Sequence, residues 1–476
     1  MIIIYIVNIF CNVIYILTMN NKYKHKKIKE NKLTYKYIGH LSKKFNRNRT
    51  NKVFKNANTK DSFKNIITKA DYLQNKKRVF KNFIDIKTNP TDQKHSGRCW
   101  LFAFLNVIRI PMIKKYHLED NFEFSQNFLF FYDKLEKANY FFNFIIKNKN
   151  LKFNDLKLIY MLDNLTNDGG QWNMFVNLIN KYGIIPKTNM DDHFHSKDSF
   201  SLNSFYNDFL RKSCKLLRET KENKENILNK LLEECYKILV IFLGEPPKTI
   251  TWQYYKQNKK NKSKKYKIIE NIRPIDFFKK IVPYNINNKI CLINYPCNNI
   301  PYYNLYNVDL AFNVVNGINQ NFINVPIEII INCVKKSIDN KEAVWCGIDV
   351  DKYKSKDHGF LDEHAFNYKD IFNFTNKMEK CDSLNYRQSY PSHAVVIRGY
   401  NLDNENIKNK GFLIENSWGD NKDGFNENLY MNYDWFKDYL YMIVIDKKFV
   451  SKKELNVLKK KPILLPYWSP FGSLLK

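Results

Sequence analysis

Residues 93–110, QKHSGRCWLFAFLNVIRI, decide how the rest of the chain is read. One cysteine, Cys99, follows a small turn of Ser96, Gly97 and Arg98 and opens an apolar run. From Trp100 to Ile110 only Asn106 and Arg109 interrupt that run, and Pro111 is expected to stop it. A segment apolar on nearly every side is a helix buried in a core rather than one lying on a surface. Cys99 therefore stands at the N-terminus of a buried helix. Unpaired N–H groups and the positive end of the macrodipole there favour thiolate over thiol. Gln93 is placed to turn its amide toward the same point, where with the Cys99 N–H it holds a developing oxyanion.

A cysteine so placed is, by itself, equally well read as an ordinary buried residue. The reading changes because a base is present. Pro391-Ser392-His393-Ala394-Val395-Val396-Ile397 puts a histidine at the mouth of a β-branched strand. Gly411-Phe412-Leu413-Ile414-Glu415-Asn416-Ser417-Trp418-Gly419 puts an asparagine at the end of the next. An imidazole accepts the thiol proton and returns it to a leaving amine. Asn416 orients the ring through its side-chain oxygen, and Trp418 shields that bond from water.

Gln93, Cys99-Trp100, Ser392-His393-Ala394 and Asn416-Ser417-Trp418-Gly419 together resemble a papain-like cysteine peptidase. The finer resemblance is to the bleomycin hydrolase (aminopeptidase C) branch. GRCWLFAFLNVIR, FEFSQNFLFFYDKLEKANYFF, NDGGQWNM, KYGIIPK, EAVWCGIDV and the tail LPYWSPFG carry it, from about residue 60 to the C-terminus. It implies an α+β fold of two lobes, one helical and one β-barrel-like, with a helical insertion at about 187–245 used in subunit contacts. It further implies an aminopeptidase with Cys99 as nucleophile, His393 as acid and base, Asn416 as orienter and Gln93 at the oxyanion. Peptides would be the substrates and a closed homohexamer the assembly. The C-terminal arm, 462–476, would lie in the cleft with its carboxylate receiving the substrate ammonium. Leu475 becomes the terminus if Lys476 is trimmed. Two other readings stand beside this one: a cathepsin-like endopeptidase, and a polyanion- or nucleic-acid-binding protein on a peptidase fold.

At 476 residues the chain exceeds one small core, and 44% hydrophobic content supports a real interior. A formal charge of +31 points to polyanions. Lys and Asn are over-used together, however, as an AT-rich coding sequence would cause. No zinc-finger spacing, Walker loop or RNA-recognition signature accompanies the charge. Non-specific polyanion adhesion is thus open, and sequence-specific nucleic-acid binding is not expected. The nine cysteines are scattered, several inside apolar runs, which reads as core usage in a reducing compartment rather than a disulfide framework.

Residues 1–19 form a hydrophobic segment, short for a membrane span, with its basic flank on the C-terminal side. The chain is expected in the cytoplasm, or membrane-anchored or organellar if that segment is translated and inserts. Residues 20–60 read as a disordered Lys/Asn-rich linker, and 61–476 as the peptidase domain. Asp168, Gly169 and Gly170 form a turn whose bare glycines admit a substrate backbone, so that these three, Trp418 and Leu475 are the expected cleft residues. Asp191, Asp192, His193 and His195 are read as a solvated loop, and no metal or organic cofactor is expected.

Overall fold

In a computed structural model, which describes residues 32–74, 79–221, 223–257, 263–355, 357–402, 410–419 and 428–475, the Cys99 helix does not stop at its proline. It runs from Cys99 to Tyr116 with Pro111 inside, and His117 ends it in the left-handed region at φ 53°. A proline inside a helix costs about 3 kcal/mol. Here 14 of 18 residues are buried, and each large side chain withdrawn from water returns about 1.5–3 kcal/mol. Burial wins, so the breaker is carried.

Around this helix lie Gln126–Lys147, capped by Ser125 accepting the Phe128 N–H at 3.1 Å, and Trp172–Tyr182. Gly183 ends the latter at φ 78°, where a Cβ would meet the Pro274 carbonyl at 2.2 Å. The expected insertion contains the helices Phe200–Glu219 and Lys224–Leu243, both packed on Gln126–Lys147.

The other lobe is a mixed sheet, with twelve strands among the described residues. Its centre is five antiparallel neighbours: Lys289–Ile293, Leu440–Asp446, Val344–Ile348, His393–Asn401 and Gly411–Glu415. The β-branched runs of the sequence supply these strands. The lobes meet at Phe104, whose ring stacks on Trp345 of the sheet at 4.5 Å and touches Phe175 and Trp172 of the helical side at 4.6 and 4.7 Å.

Three expectations need correction. Residues 1–31 lie outside the described residues, but 35–57 are not irregular: Tyr35–Arg47 and Arg49–Ala57 are helices within a unit that reaches Ile66. Thr34 and Asn48 cap them, accepting N–H groups at 3.2 and 3.3 Å, and Ile38, Leu41 and Phe45 recur at helical spacing inside the polar composition. The cysteines are not all thiols, because Cys297 and Cys381 are bonded with Cα atoms 5.2 Å apart. These two stand 84 residues apart, on a loop after Lys289–Ile293 and on the helix Lys380–Asn385, so no sequence spacing announces them. Cys99, Cys214, Cys235, Cys291, Cys333 and Cys346 are free and buried. Lastly, Asp192 is no solvated residue: it holds the fully buried Arg98 guanidinium at 2.6 Å.

Candidate active site

The Cys99 helix packs on the His393–Asn401 strand, and the Ala394 N–H, next to His393, faces the Cys99 sulfur. His393 Nε2 lies 2.8 Å from Asn416 Oδ1, and its ring packs on Trp418 with centroids 5.1 Å apart. Because an amide oxygen only accepts, Nε2 carries the hydrogen, and Nδ1 keeps the lone pair a base requires.

Gln93 and Asn416 share one frame. The Gln93 N–H donates to the Ser417 carbonyl at 2.9 Å and the Gly419 N–H to the Thr91 carbonyl at 3.0 Å, with Asp92 bridged to Trp418 between them. Side chains lock this short ladder. Ser417 Oγ donates to Gln93 Oε1 at 2.7 Å, and the Ser417 N–H donates to Asn416 Oδ1 at 2.8 Å. With Oε1 so held, Gln93 Nε2 turns toward the Ser96–Cys99 turn, donating one hydrogen to the Ser96 carbonyl at 2.7 Å.

Two effects oppose one another at the Cys99 sulfur. Burial pushes the Cys99 thiol up to about 11, against the pull of the N–H groups of Ala394, Trp100 and Cys99 itself. Burial also pushes His393 down to about 4, against its bond to Asn416, with Lys354 acting in the same direction as burial. The helix N-terminus does favour negative charge here, but desolvation exceeds it.

Asp168 is placed differently from the expected cleft wall. Its carboxylate turns inward, pairing with Lys134 Nζ at 2.7 Å and accepting from the Gly97 N–H at 3.0 Å, Ser199 at 2.5 Å and Asn203 at 2.8 Å. Burial alone would raise it, yet Lys134 and these donors hold it well below the usual carboxylate range. A carboxylate so fully engaged anchors the turn that presents Cys99. Gly170 is bare for a local reason too: a Cβ there would meet the Trp100 ring at 2.4 Å.

Among the described residues no cluster of His, Cys, Asp or Glu could hold a metal ion. The Peptidase C1-like family model matches residues 32–472. The chain belongs to this family. It is 37% identical to bleomycin hydrolase of Gallus gallus over 84% of this chain and 89% of that one. It is 33% identical to aminopeptidase C of Listeria monocytogenes over 94% of this chain and 99% of that one. The crystal structure of PepW from Lactobacillus rhamnosis superposes with a TM-score of 0.86 at 31% identity, covering 93% of this chain and 99% of the other. The fold is papain-like, and the chain is a cysteine-type aminopeptidase of the bleomycin hydrolase kind. These relatives do not favour the endopeptidase and scaffold readings.

The tail of this peptidase reaches the site from the sheet side. Gln171 Nε2 donates to the Phe471 carbonyl at 2.5 Å, and Ser473 Oγ donates to the Pro391 carbonyl at 2.5 Å, two residues before His393. Leu474 lies beside Gly347, the cross-strand partner of Ala394, while Leu475 is buried against the helical side near Tyr160 and Leu165. Lys476 lies outside the described residues.

Sequence reasoning missed the ion pairs behind the base. Glu415, adjacent to Asn416, accepts from Arg109 of the Cys99 helix at 2.6 Å and from Arg398 of the His393 strand at 2.9 Å, all three being buried. One carboxylate ties together the elements that carry Cys99, His393 and Asn416. The signal was an arginine inside an apolar run, which demands a buried partner. Lys134 and Lys137 were missed likewise: Lys137 donates to the carbonyls of Asn167 at 2.6 Å and Gly169 at 2.7 Å.

Proposed function

We propose that Cys99 is the nucleophile of this aminopeptidase, His393 its base and acid, Asn416 the orienter of His393, and Gln93 an oxyanion donor. The sulfur attacks the scissile carbonyl carbon as the thiol proton passes to His393 Nδ1. The carbonyl oxygen becomes an oxyanion facing the Cys99 N–H and the free hydrogen of Gln93 Nε2. Nδ1–H then protonates the leaving amine, the C–N bond breaks, and a thioester remains. Water hydrolyses it, giving its proton to His393, and the thiol is restored.

The observation that supports this most is the His393 Nε2–Asn416 Oδ1 bond of 2.8 Å beneath Trp418, on the strand whose Ala394 N–H faces the sulfur. The test is labelling by a peptidyl epoxide at neutral pH, followed by peptide mapping. The label is expected on Cys99, with loss of turnover. Turnover that survives in Cys99→Ala overturns the assignment.

On the acyl side, Gly169, Gly170 and Leu475 border the N-terminal residue of the peptide substrate, and the arm at 462–476 limits cleavage to chain ends. The working unit is 61–476, with 187–245 as an assembly insertion. There Phe194, Phe200, Phe205, Leu216 and Ile241 are exposed, as contacts of a closed homohexamer would be in a single chain. Light scattering reporting a monomer at micromolar concentration contradicts that assembly. The +31 charge supports non-specific adhesion to polyanions. A cytoplasmic setting fits the six buried thiols among the described residues, with Cys297–Cys381 standing against it. Among the described residues no helix is long and apolar enough to cross a membrane.

A further inference from the structure

A cavity of about 380 Å³ opens beside the catalytic strip, lined by Asp92, Lys94, His95, Lys354 and Trp418. It borders the side of the reaction that the acyl group does not occupy. His393 must come within hydrogen-bond reach of the leaving nitrogen, and Trp418, on which His393 packs, forms one wall. Asp92 and Lys94 flank Gln93 in sequence. The residue released with the new amine therefore passes over Trp418 into this space.

The lining is unevenly charged. Lys354 Nζ sits 4.8 Å above the Trp418 ring and Lys94 stands at the opposite sequence edge, with Asp92 the one acidic group in the wall. Asp92 is 2.5 Å from Lys94, whereas the partner of Lys354, Asp351 at 2.8 Å, is 73% exposed and does not line the cavity. Lys354 also acts on His393, lowering its proton affinity, so a charge received here is close enough to be felt at the reaction.

We propose that this cavity is a leaving-side subsite selective for a carboxylate on the second residue of the substrate, held by Lys354 and Lys94. The inference rests on the aminopeptidase reading above. Two sources share that chemistry: an acidic side chain, and the free α-carboxylate of a dipeptide.

Comparing kcat/KM for Ala-Asp-NH2 with Ala-Asn-NH2 tests the side chain, and comparing Ala-Ala with Ala-Ala-NH2 tests the α-carboxylate. The carboxylate member of at least one pair is expected to be favoured about fivefold, the scale of a partly exposed ion pair. Raising ionic strength to about 1 M should compress that ratio, and Lys354→Gln should bring it near unity. Lys94→Gln, at a side chain 53% exposed, gives a second reading if Lys354→Gln folds poorly, with a smaller fall expected. Wild-type ratios of unity in both pairs overturn the subsite, as do ratios unmoved by both substitutions. Ala-4-methylcoumaryl-7-amide, whose leaving group is uncharged, separates the two levels. If the wild type cleaves it while both ratios are unity, the subsite alone fails. If the wild type cleaves neither it nor the peptides, the aminopeptidase reading fails and the subsite with it.

Discussion

Asp168 and Glu415 are buried carboxylates serving the same site from opposite lobes, and they are neutralised differently. Asp168 meets one lysine and three neutral donors, among them the Gly97 N–H of the turn before Cys99. Glu415 meets two arginines, one from the Cys99 helix and one from the His393 strand. The first positions one turn. The second joins three elements, because a guanidinium reaches several acceptors at once: Arg109 also donates to the Asn89 carbonyl at 2.9 Å and Arg398 to Thr88 at 2.7 Å. The Cys99 side is thus fixed within one lobe and the His393 side by a link between lobes.

The largest expected effect separates chemistry from both anchors. Cys99→Ala is expected to lower kcat by at least about 10⁴-fold, in line with removal of a nucleophile. It should leave the denaturation midpoint nearly unchanged, since the sulfur's contact with the Gly97 carbonyl, at 4.0 Å, is a long one. Turnover and urea denaturation measured on one preparation check it. A large loss of stability would mean that Cys99 is chiefly a packing residue.

Next come the anchors. Glu415→Gln leaves two guanidinium groups buried without a carboxylate and is expected to cost about 3–5 kcal/mol. Asp168→Asn should cost less, roughly 1–3 kcal/mol, because a lysine can shed its proton where an arginine cannot. Burial already lowers the Lys134 proton affinity, and that amine also donates to Asn203 Oδ1 at 2.7 Å. Equal losses in denaturant titrations would erase the distinction drawn between the two sides.

Within the base side, Asn416→Ala is expected to lower kcat about 10–100-fold, as loss of an orienting partner does. The pH profile carries the sign. The Asn416 bond raises the His393 pKa against burial, which sets it at about 4. Its removal therefore lowers that pKa, and the acid limb of kcat/KM should move to lower pH. A limb that stays near pH 4, or moves up, would show that Asn416 does not act on the imidazole.

How much of this was legible follows from the reach of each interaction. Cys99, His393 and Asn416 could be named because each stands at an element end marked by local pattern: a helix start after glycine, and the mouth or end of a β-branched strand. The central strands were readable for the same reason. Arg109–Glu415 spans 306 positions and Cys297–Cys381 spans 84, and nothing local says which buried arginine or cysteine finds which partner. Pro111 misled because helix propensity is a local prior that burial overrode. The helix dipole at Cys99 could be read from the sequence, whereas the opposing desolvation depends on what closes over the site. Asp168 was seen as part of a turn, but its direction depended on Lys134 from another helix.

The smallest effect concerns the acyl side, where the tail meets the site. Ser473 holds the Pro391 carbonyl, Leu474 fills the space beside Gly347, and Leu475 is buried against the helical lobe. The arm thus contacts both lobes next to the strand that carries His393. A carboxylate at its end would face the ammonium of a peptide N-terminus across a partly desolvated gap. At about 4 Å and an effective dielectric of 20 such a pair is worth at most about 4 kcal/mol, less after desolvation. A net of about 1.4 kcal/mol is enough for tenfold selection of a free over a blocked N-terminus. Deleting Gly472 to Lys476 withdraws the terminal carboxylate to Phe471 and removes Ser473, Leu474 and Leu475. The kcat/KM ratio of Ala- to acetyl-Ala-4-methylcoumaryl-7-amide is then expected to fall about tenfold, with both substrates still cleaved through Cys99. The same ratio in truncated and full-length enzyme would show that the arm packs at the cleft without choosing what enters it.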